Sequence, residues 1–250
     1  MSSVHNAIKI LQTFSKTETE LGISDLSVRL GLAKSTVFRL MQTLKESNLV
    51  EKNQETQKYQ LGIAAFELGF TVYHSMELRR ISVPILERLS NSINRVVRLG
   101  VYDNGGVVYL VNRSPNGDNA TISKIGDRIP THCTAVGKML LAYQNNNEVE
   151  RVIELGLRLY TNKTIVSGKE LKEQLNGIRQ KGYALTMEEW RNGVSSVAVP
   201  VKNDLGKVVG AVSITGPRSS FSLNQIEQYV RELRQCSRLI TEQMGMDYFD

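Results

Sequence analysis

Apolar residues in the stretch "GLAKSTVFRLMQTLKESNLV", residues 31–50, recur at three- and four-residue spacing, the period of an amphipathic helix. At about 100° per residue, one side of a helix over residues 33–44 collects Ala33, Val37, Leu40, Met41 and Leu44. The other side carries Ser35, Arg39 and Gln42, with Thr36 and Thr43 along one edge and Lys34 and Phe38 on the other flank. The pattern predicts a helix that is anchored by its apolar side and presents small polar and basic groups outward.

The segments on either side predict that this helix belongs to a small domain. Residues 3–15 show a second helical stripe, capped by Ser2 or Ser3. Residues 24–31 predict a short helix with Ser24 as its N-cap and Gly31 as its stop, and two helices joined by a tight glycine turn form a helix-turn-helix. Extended pieces at residues 49–52 and 58–61 predict a β-hairpin, or wing, and the domain spans residues 1–62.

Residues 63–95 are mostly helical in pattern, and Pro84 predicts a break in the middle. We expect a linker helix over residues 63–80. It carries an apolar stripe at helical spacing, formed by Ala65, Leu68, Val72 and Met76. The stripe packs either on a second copy of the chain or on its own chain, and the pattern favours neither.

Residues 81–250 alternate between the helical and the strand period, which predicts an α+β domain with a mixed sheet and helices to its side. The predicted strands are a hairpin over residues 96–113 that turns at Asn104-Gly105-Gly106, and residues 119–126, 183–189, 195–202 and 207–216. The predicted helices are residues 134–144, 147–157, 169–182 and 222–244.

Composition places the 250-residue chain among globular proteins, with 41% hydrophobic and 22% charged residues. No run reaches the roughly 18 apolar residues of a membrane span, and the start lacks the pattern of a secretory signal. With two cysteines that suit a reducing compartment, we expect a cytoplasmic protein. The three histidines and two cysteines show no metal-ligand spacing, and there is no GxGxxG or Walker A loop, so we expect neither a metal nor a cofactor.

The net charge of +6 suits a polyanionic partner, but the charge is not concentrated in the first domain. Residues 1–62 hold eight basic and six acidic side chains, which leaves +2. An interaction with nucleic acid must therefore depend on where the polar groups are placed.

The polar side of the helix over residues 33–44 carries groups that can read duplex DNA. Arg39 suits guanine, Gln42 suits adenine, and a hydroxyl such as that of Thr43 suits either. Other candidates lie near phosphates: Lys34, Ser35 and Thr36 in the first helical turn, and Lys52 and Lys58 at the base of the wing. The alternative is an ordinary amphipathic helix whose polar face is only solvated.

A second set of polar groups predicts a small-molecule pocket in the C-terminal domain. Backbone N–H groups that open a helix favour a carboxylate, and three lie together at Thr134, Ala135 and Val136. Ser213 and Thr215 alternate along one strand, so their hydroxyls point to one side, and Ser196 lies on the neighbouring strand. Such groups in an apolar shell are typical of a pocket. Taken singly, a serine or threonine on a strand more often has a structural role.

Motifs in both domains occur in a recognisable order. The first domain contains Gly31-Leu32, Ser35-Thr36, Arg39-Leu40 and Tyr59-Gln60-Leu61-Gly62. The second contains "RIPTHCTAVGKMLLA", "GYALTMEEWRNGVSSVAVPV" and "GAVSITGP". In this order they resemble the IclR family of bacterial transcription regulators, and the resemblance covers nearly the whole chain.

The resemblance implies a winged helix-turn-helix domain followed by a GAF-like effector-binding domain over residues 81–250. It implies a dimer, or a dimer of dimers, on pseudo-palindromic operators. It also implies effector contacts at Ala135, Val136, Thr186, Ser196, Ser213 and Thr215. A common family version has Asp at position 186 and Cys at position 196, where this chain has Thr and Ser.

Together these features predict a ligand-controlled transcription regulator and not an enzyme. We expect it to repress a carbon-source catabolic operon and to bind a small organic or sugar acid through its carboxylate. The alternative is an enzyme with Cys133 as nucleophile; the adjacent His132 cannot activate it, because neighbours on an extended chain point in opposite directions. We expect Glu189 to hold a loop or to pair with a basic side chain.

Overall fold

The computed structural model of the chain describes residues 2–15, 17–115 and 125–246. The chain divides into two compact units, Met1–Met76 and Glu77–Asp250. Each unit has a hydrophobic core of its own, so the two are described separately.

Among the described residues, four helices and a two-stranded antiparallel hairpin build the first unit. The elements are α1 (Ser3–Thr13), α2 (Ile23–Leu30), α3 (Lys34–Glu46), β1 (Val50–Lys52), β2 (Tyr59–Leu61) and the following helix α4 (Ile63–Ser75). The core between α1, α2, α3 and the hairpin includes Ile10, Leu26, Val37, Met41 and Tyr59. The predicted helix-turn-helix and its wing are therefore both confirmed.

The turn between α2 and α3 depends on a glycine. Gly31 has φ of 64° at the end of α2, in the left-handed region that glycine adopts without strain. The Ser27 hydroxyl donates to the carbonyl oxygen of Leu32 at 2.6 Å and fastens the chain on the far side of the turn. The predicted stop at Gly31 is confirmed.

Two details at the helix starts differ from the prediction. Ser24 is not the N-cap of α2: the helix begins after Gly22, whose N–H donates to the Asp25 carboxylate at 3.0 Å, so Ser24 already lies within the first turn. Ala33 is the exposed N-cap of α3, although the helical pattern places it on the buried side. An N-cap residue has extended dihedrals and does not follow the helical period.

The break in the helical segment lies at Met76 and not at Pro84. α4 ends at Ser75, and α5 (Glu77–Ile93) runs through Pro84 without interruption, so the predicted linker helix to residue 80 is wrong. Proline removes one backbone hydrogen bond, but the apolar face of α5, including Ile81, Ile85 and Leu89, is buried against the strands Val96–Asp103 and Gly106–Arg113 and the helix Leu223–Met246. This packing stabilises the helix across the proline.

The described part of the second unit forms a six-stranded sheet with helices on its faces. Its strands are β3 (Val96–Asp103), β4 (Gly106–Arg113), β5 (Arg128–Pro130), β6 (Ala184–Met187), β7 (Val194–Lys202) and β8 (Val208–Pro217). Its further helices are α6 (Ala135–Ala142), α7 (Asn146–Glu154), α8 (Gly168–Lys181) and α9 (Leu223–Met246).

The sheet has the order β5-β4-β3-β8-β7-β6, and each of these neighbouring pairs is antiparallel. The expectation of a mixed sheet is therefore wrong for the described strands: even β3 and β8, which are far apart in the sequence, pair antiparallel. Residues 119–124 of the strand predicted at 119–126 lie outside the described residues, and Ile125 and Gly126 form a turn.

The two faces of this sheet have different partners. α5 and α9 pack on one face, where Val97, Leu99 and Ile214 are buried. α6 packs on the other face, with α8 behind it, among residues such as Ala198 and Ala211. Residues on adjacent strands that pair directly point to the same face, so this register decides which polar groups meet near α6.

Candidate functional site

The outward face of α3 presents a row of polar side chains. Lys34, Ser35, Arg39 and Thr43 are exposed, and Thr36 and Gln42 are half-buried. The apolar residues on the opposite side of α3 are buried in the core of the unit, as the helical pattern predicts. Within the part of the chain that the structure describes, no side-chain hydrogen bond or ion pair engages Lys34, Ser35, Arg39 or Gln42. This face therefore keeps its hydrogen-bonding capacity for another molecule.

The two lysines of the wing lie in different surroundings. Lys58 is exposed. Lys52 is half-buried; its ammonium donates to Gln57 Oε1 at 2.6 Å and lies 5.9 Å from the centre of the Tyr59 ring. Lys58 can reach a phosphate directly, whereas Lys52 must first leave Gln57.

One carboxylate fastens the tip of the wing to the loop before α2. Glu20 accepts hydrogen bonds from the Asn53 amide at 2.7 Å and from the Thr56 hydroxyl at 2.9 Å. Asn53 Oδ1 also accepts the backbone N–H of Glu55 at 2.9 Å, which shapes the tip. Sequence reasoning missed this contact, because the local pattern does not connect residues 36 positions apart.

A cavity opens in the second unit beside the start of α6. It encloses about 480 Å³ of empty space, part of it open to solvent. Five of the predicted effector residues line it, namely Thr134, Ala135, Thr186, Ser196 and Thr215. They come from separate parts of the chain, and the sheet order β8-β7-β6 brings them together.

The other two predicted effector residues do not line the cavity. Val136 is buried close to Gly100, where an added Cβ would lie 2.8 Å from Val136 Cγ1. Ser213 is fully buried on β8, directly opposite Arg98 of β3, and its hydroxyl has no hydrogen-bond partner among the described residues. Ser213 therefore lies beneath the cavity lining, next to an arginine that faces the same side of the sheet.

The lining hydroxyls of Thr134, Ser196 and Thr215 have hydrogen-bond partners within the described residues, whereas the buried Ser195 hydroxyl has none. Ser196 donates to the carbonyl oxygen of Ile214 at 3.0 Å and lies 3.0 Å from the Thr215 hydroxyl. Thr134 is the N-cap of α6: its hydroxyl accepts the N–H of Gly137 at 3.1 Å. The N–H groups of Ala135 and Val136 precede the capped position, where a helix leaves donors without intrahelical partners.

Among the further lining residues that the sequence-based prediction missed, four carry a guanidinium group or an aromatic ring. They are Arg98 and Tyr109 on the sheet, and Trp190 and Arg191 in the segment after β6. The Arg98 side chain is 5% exposed, and its guanidinium lies 5.4 Å from the centre of the Tyr109 ring. The sequence does contain a signal for Arg98. It is the single arginine in the apolar run "VVRLGV", and it lies between a valine and a leucine that point to the other face of the strand.

A buried ion pair lies behind the cavity. Lys138 of α6 is completely buried and donates to Glu189, and its ammonium also donates to Gln174 Oε1 at 2.7 Å. Burial lowers the pKa of Lys138, and the Glu189 carboxylate opposes that shift. The expected pairing of Glu189 with a basic side chain is confirmed, and its carboxylate is thereby committed to Lys138.

Cys133 lines the cavity, but its thiol is not prepared to act as a nucleophile. The residue is fully buried, and burial, with a smaller contribution from the Glu189 carboxylate, raises the pKa of the thiol to about 12. The His132 ring instead lies 2.9 Å from the carbonyl oxygen of Arg158, measured from Nε2. A thiol that stays protonated at neutral pH is a weak nucleophile, so the enzyme alternative loses its candidate residue.

Two further properties concern the described residues only. None of their helices combines the length and the apolar character that crossing a bilayer requires. No group of three or more His, Cys, Asp or Glu side chains among them is arranged to hold a metal ion.

The two units define a class of protein: a DNA-binding regulator with a winged helix-turn-helix unit and a separate α+β unit that contains a small-molecule cavity. The family model of the IclR helix-turn-helix domain matches residues 3–54. The model of the bacterial transcriptional regulator IclR C-terminal domain matches residues 70–242. The chain therefore belongs to the IclR family of bacterial transcriptional regulators, and it acts in transcription and not as an enzyme.

Named relatives agree with this assignment. The HTH-type transcriptional regulator KdgR of Escherichia coli is 35% identical over 98% of this chain and 93% of its own length. The glycerol operon regulatory protein of Streptomyces coelicolor is 31% identical over 100% of this chain and 98% of its own. A solved structure of an IclR homologue from Microbacterium hydrocarbonoxydans, complexed with 4-hydroxybenzoate, is 23% identical in sequence. The match covers 98% of this chain and 100% of the homologue, and its TM-score of 0.83 shows the same fold.

Proposed function

We propose that the protein reads operator DNA through the exposed face of α3. The observation that carries this is the exposed Arg39 side chain, which has no partner within the described residues and stands at the centre of a polar row. Arg39 and Gln42 are assigned to base edges, with Thr43 beside them. Phosphate contacts are assigned to Lys34, Ser35 and Thr36 in the first turn of α3 and to Lys52 and Lys58 on the wing.

The cavity of the second unit is the proposed effector site. Its lining of hydroxyls and aromatic rings suits a small organic or sugar acid. The 4-hydroxybenzoate bound by the Microbacterium homologue is itself a carboxylate. The assigned contacts are the predicted residues that line the cavity, joined by four that the sequence-based prediction missed: Thr134, Ala135, Thr186, Ser196 and Thr215, with Arg98, Tyr109, Trp190 and Arg191.

The two sites are coupled by a two-state equilibrium in this proposal. An effector that binds one arrangement of the second unit more tightly shifts the equilibrium, and the linker helix α4 (Ile63–Ser75) changes the spacing of two DNA-binding domains of residues 1–62. We propose that the protein represses a carbon-source catabolic operon in the cytoplasm. The glycerol operon regulator among its relatives supports the choice of operon class.

Self-association is proposed to occur through α4. No residue of this helix is buried within its own chain, and Ile63, Phe66, Leu68, Phe70 and Val72 are each more than half exposed. Apart from one polar side formed by Glu67, Thr71, His74 and Ser75, the surface of α4 is apolar, and an apolar surface of this extent is expected to be covered. A second copy of the chain supplies that cover and gives the two-fold symmetry that a pseudo-palindromic operator needs.

The experiment is selection of bound duplexes from a random library by the full chain, followed by titration of the enriched duplex with and without organic and sugar acids. The proposal predicts an inverted-repeat motif and an affinity that at least one acid changes by about 5–150-fold. Absence of an enriched motif contradicts the DNA-reading role. An enriched motif whose affinity no acid alters contradicts effector control.

A further inference from the structure

Arg98 occupies an unusual position at the floor of the cavity. It lies on β3, and its direct cross-strand neighbour on β8 is Ser213. Both side chains point to the face of the sheet that carries α6, since paired residues share a face. Only 5% of Arg98 is exposed, yet it lines the cavity. A charged side chain is thus buried with its one remaining opening toward the empty space.

The described residues provide no counter-charge for this arginine. Its buried Nε has no hydrogen-bond partner, and it forms no ion pair. No described lining residue is an Asp or a Glu, and the nearby Glu189 is committed to Lys138. Burial lowers the pKa of Arg98, but a guanidinium keeps its charge in proteins. The contact with the Tyr109 ring is the only stabilising interaction of the charge in this part of the structure.

A second cation stands at the exposed side of the same cavity. Arg191 is exposed and lies 4.9 Å from the centre of the Trp190 ring, and both residues line the cavity. Its charge adds to that of Arg98, so the potential in the cavity is positive. The hydroxyls of Thr186, Ser196 and Thr215 line the same cavity. Two positive charges without an acid, next to hydroxyl groups, suit an anion that carries hydroxyl groups of its own.

We propose that Arg98 is the residue that binds the carboxylate of the effector, and that the effector class is a hydroxy acid and not a neutral sugar or an amine. This inference rests on the proposed effector role of the cavity. The planar guanidinium can hold a carboxylate through two parallel hydrogen bonds. In this assignment the carboxylate of the effector lies at the sheet and not at the N–H groups that begin α6. The hydroxyls of the lining then bind the rest of the effector.

The same geometry has a consequence for the ligand-free protein. An unpaired buried cation destabilises the folded state, and a neutral side chain of similar length relieves that effect. Arg98→Met is therefore expected to raise the midpoint of unfolding of the second unit without ligand while it abolishes acid binding. A residue with a purely structural role would instead lower the midpoint when replaced. The two effects in opposite directions distinguish a binding residue from a structural one.

The test uses calorimetric titration and thermal unfolding of the full chain with three acids and their neutral counterparts. The pairs are D-gluconate with D-sorbitol, 4-hydroxybenzoate with 4-hydroxybenzamide, and pyruvate with pyruvamide. The variants are Arg98→Met, Arg98→Gln and Arg98→Lys. The control is Arg128→Gln, which removes the same charge from an exposed pair with Asp103 outside the cavity.

D-gluconate or 4-hydroxybenzoate should bind the wild-type chain about tenfold or more tightly than its neutral counterpart and more tightly than pyruvate, which has no hydroxyl, and Arg98→Gln should lose about tenfold or more of that affinity. Arg98→Lys should retain part of it, and Arg128→Gln should bind as the wild type does. The inference is overturned if acids and neutral counterparts bind alike, if no acid binds, or if Arg98→Gln binds an acid normally. Arg98-dependent binding that leaves operator affinity unchanged would refute the proposed function and not this inference.

Discussion

At the scale of single residues, the completely buried Lys138 shows how strongly the second unit depends on one charge pair. Its ammonium is held by Glu189 and Gln174 inside the layer formed by α6 and α8. Removal of one partner leaves the other charge buried and uncompensated, which is far more destabilising than loss of an exposed pair. Substitutions of Lys138 or Glu189 are therefore expected to destabilise the second unit more than substitutions in a surface ion pair.

We predict that Lys138→Met lowers the free energy of unfolding of the second unit by about 3–5 kcal/mol, because it leaves Glu189 unpaired. Chemical denaturation of the full chain measures this. The matched control is Lys172→Met, which breaks an exposed pair with Glu150 at 2.5 Å and should cost about 0–1 kcal/mol. Equal effects of the two variants would contradict the account, and Lys138→Met/Glu189→Leu should recover much of the loss.

Arg98 shows why some functional residues escape prediction at this scale. A lone arginine within an apolar strand is visible in the sequence, but its meaning depends on whether a cross-strand neighbour neutralises it. Here the neighbour on β8 is Ser213, a fact that only the register of the sheet supplies. By contrast, the polar face of α3 was predictable, since the helical period alone separates its two sides.

At the scale of elements, the wing is a hairpin of three-residue strands that needs support beyond its own ladder. The support comes from Glu20, which accepts from Asn53 and Thr56, and from Leu21, which pairs with Tyr59 in a short extension of the sheet. These contacts fix the position of the wing relative to α2 and α3 within the first unit.

We predict that Glu20→Ala weakens operator binding without changing the preferred sequence, because it frees the wing tip and leaves α3 intact. Loss of two side-chain hydrogen bonds should lower the stability of the first unit by about 1–3 kcal/mol. Fluorescence polarisation measures the affinity of the variant for the enriched duplex and for a scrambled duplex. The control is Glu55→Ala, which removes the same charge from the wing. A changed base preference in Glu20→Ala would contradict this assignment.

Elements were predicted well where local pattern decides and poorly where tertiary contacts decide. The helix-turn-helix and the hairpin of β3 and β4 follow from period and turn residues. The continuity of α5 through Pro84 does not, because burial of its apolar face outweighs the one lost backbone bond. The antiparallel sheet order likewise follows from which strands find each other and not from their individual patterns.

At the scale of the whole molecule, the exposed apolar surface of α4 is the main feature that a single chain leaves unexplained. We predict that Leu68→Glu/Val72→Glu shifts the protein from dimers to monomers, because charges at the proposed contact cannot be buried unpaired. Light scattering coupled to size exclusion measures the mass. The control is Asn176→Glu/Gln180→Glu, which adds the same charge to exposed positions of α8. A dimer that survives the α4 variant would place the interface elsewhere.

The central claim, that the exposed face of α3 reads bases, is tested most directly by Arg39→Ala. Affinities of wild type and variant are measured for the enriched duplex, for all single-base variants of it, and for a scrambled duplex at one salt concentration. The account predicts a loss of about 1–3 kcal/mol on the enriched duplex, relaxed preference at one position in each half-site, and a smaller loss on the scrambled duplex. Equal losses on every duplex would show that Arg39 contacts only phosphate and would contradict the claim.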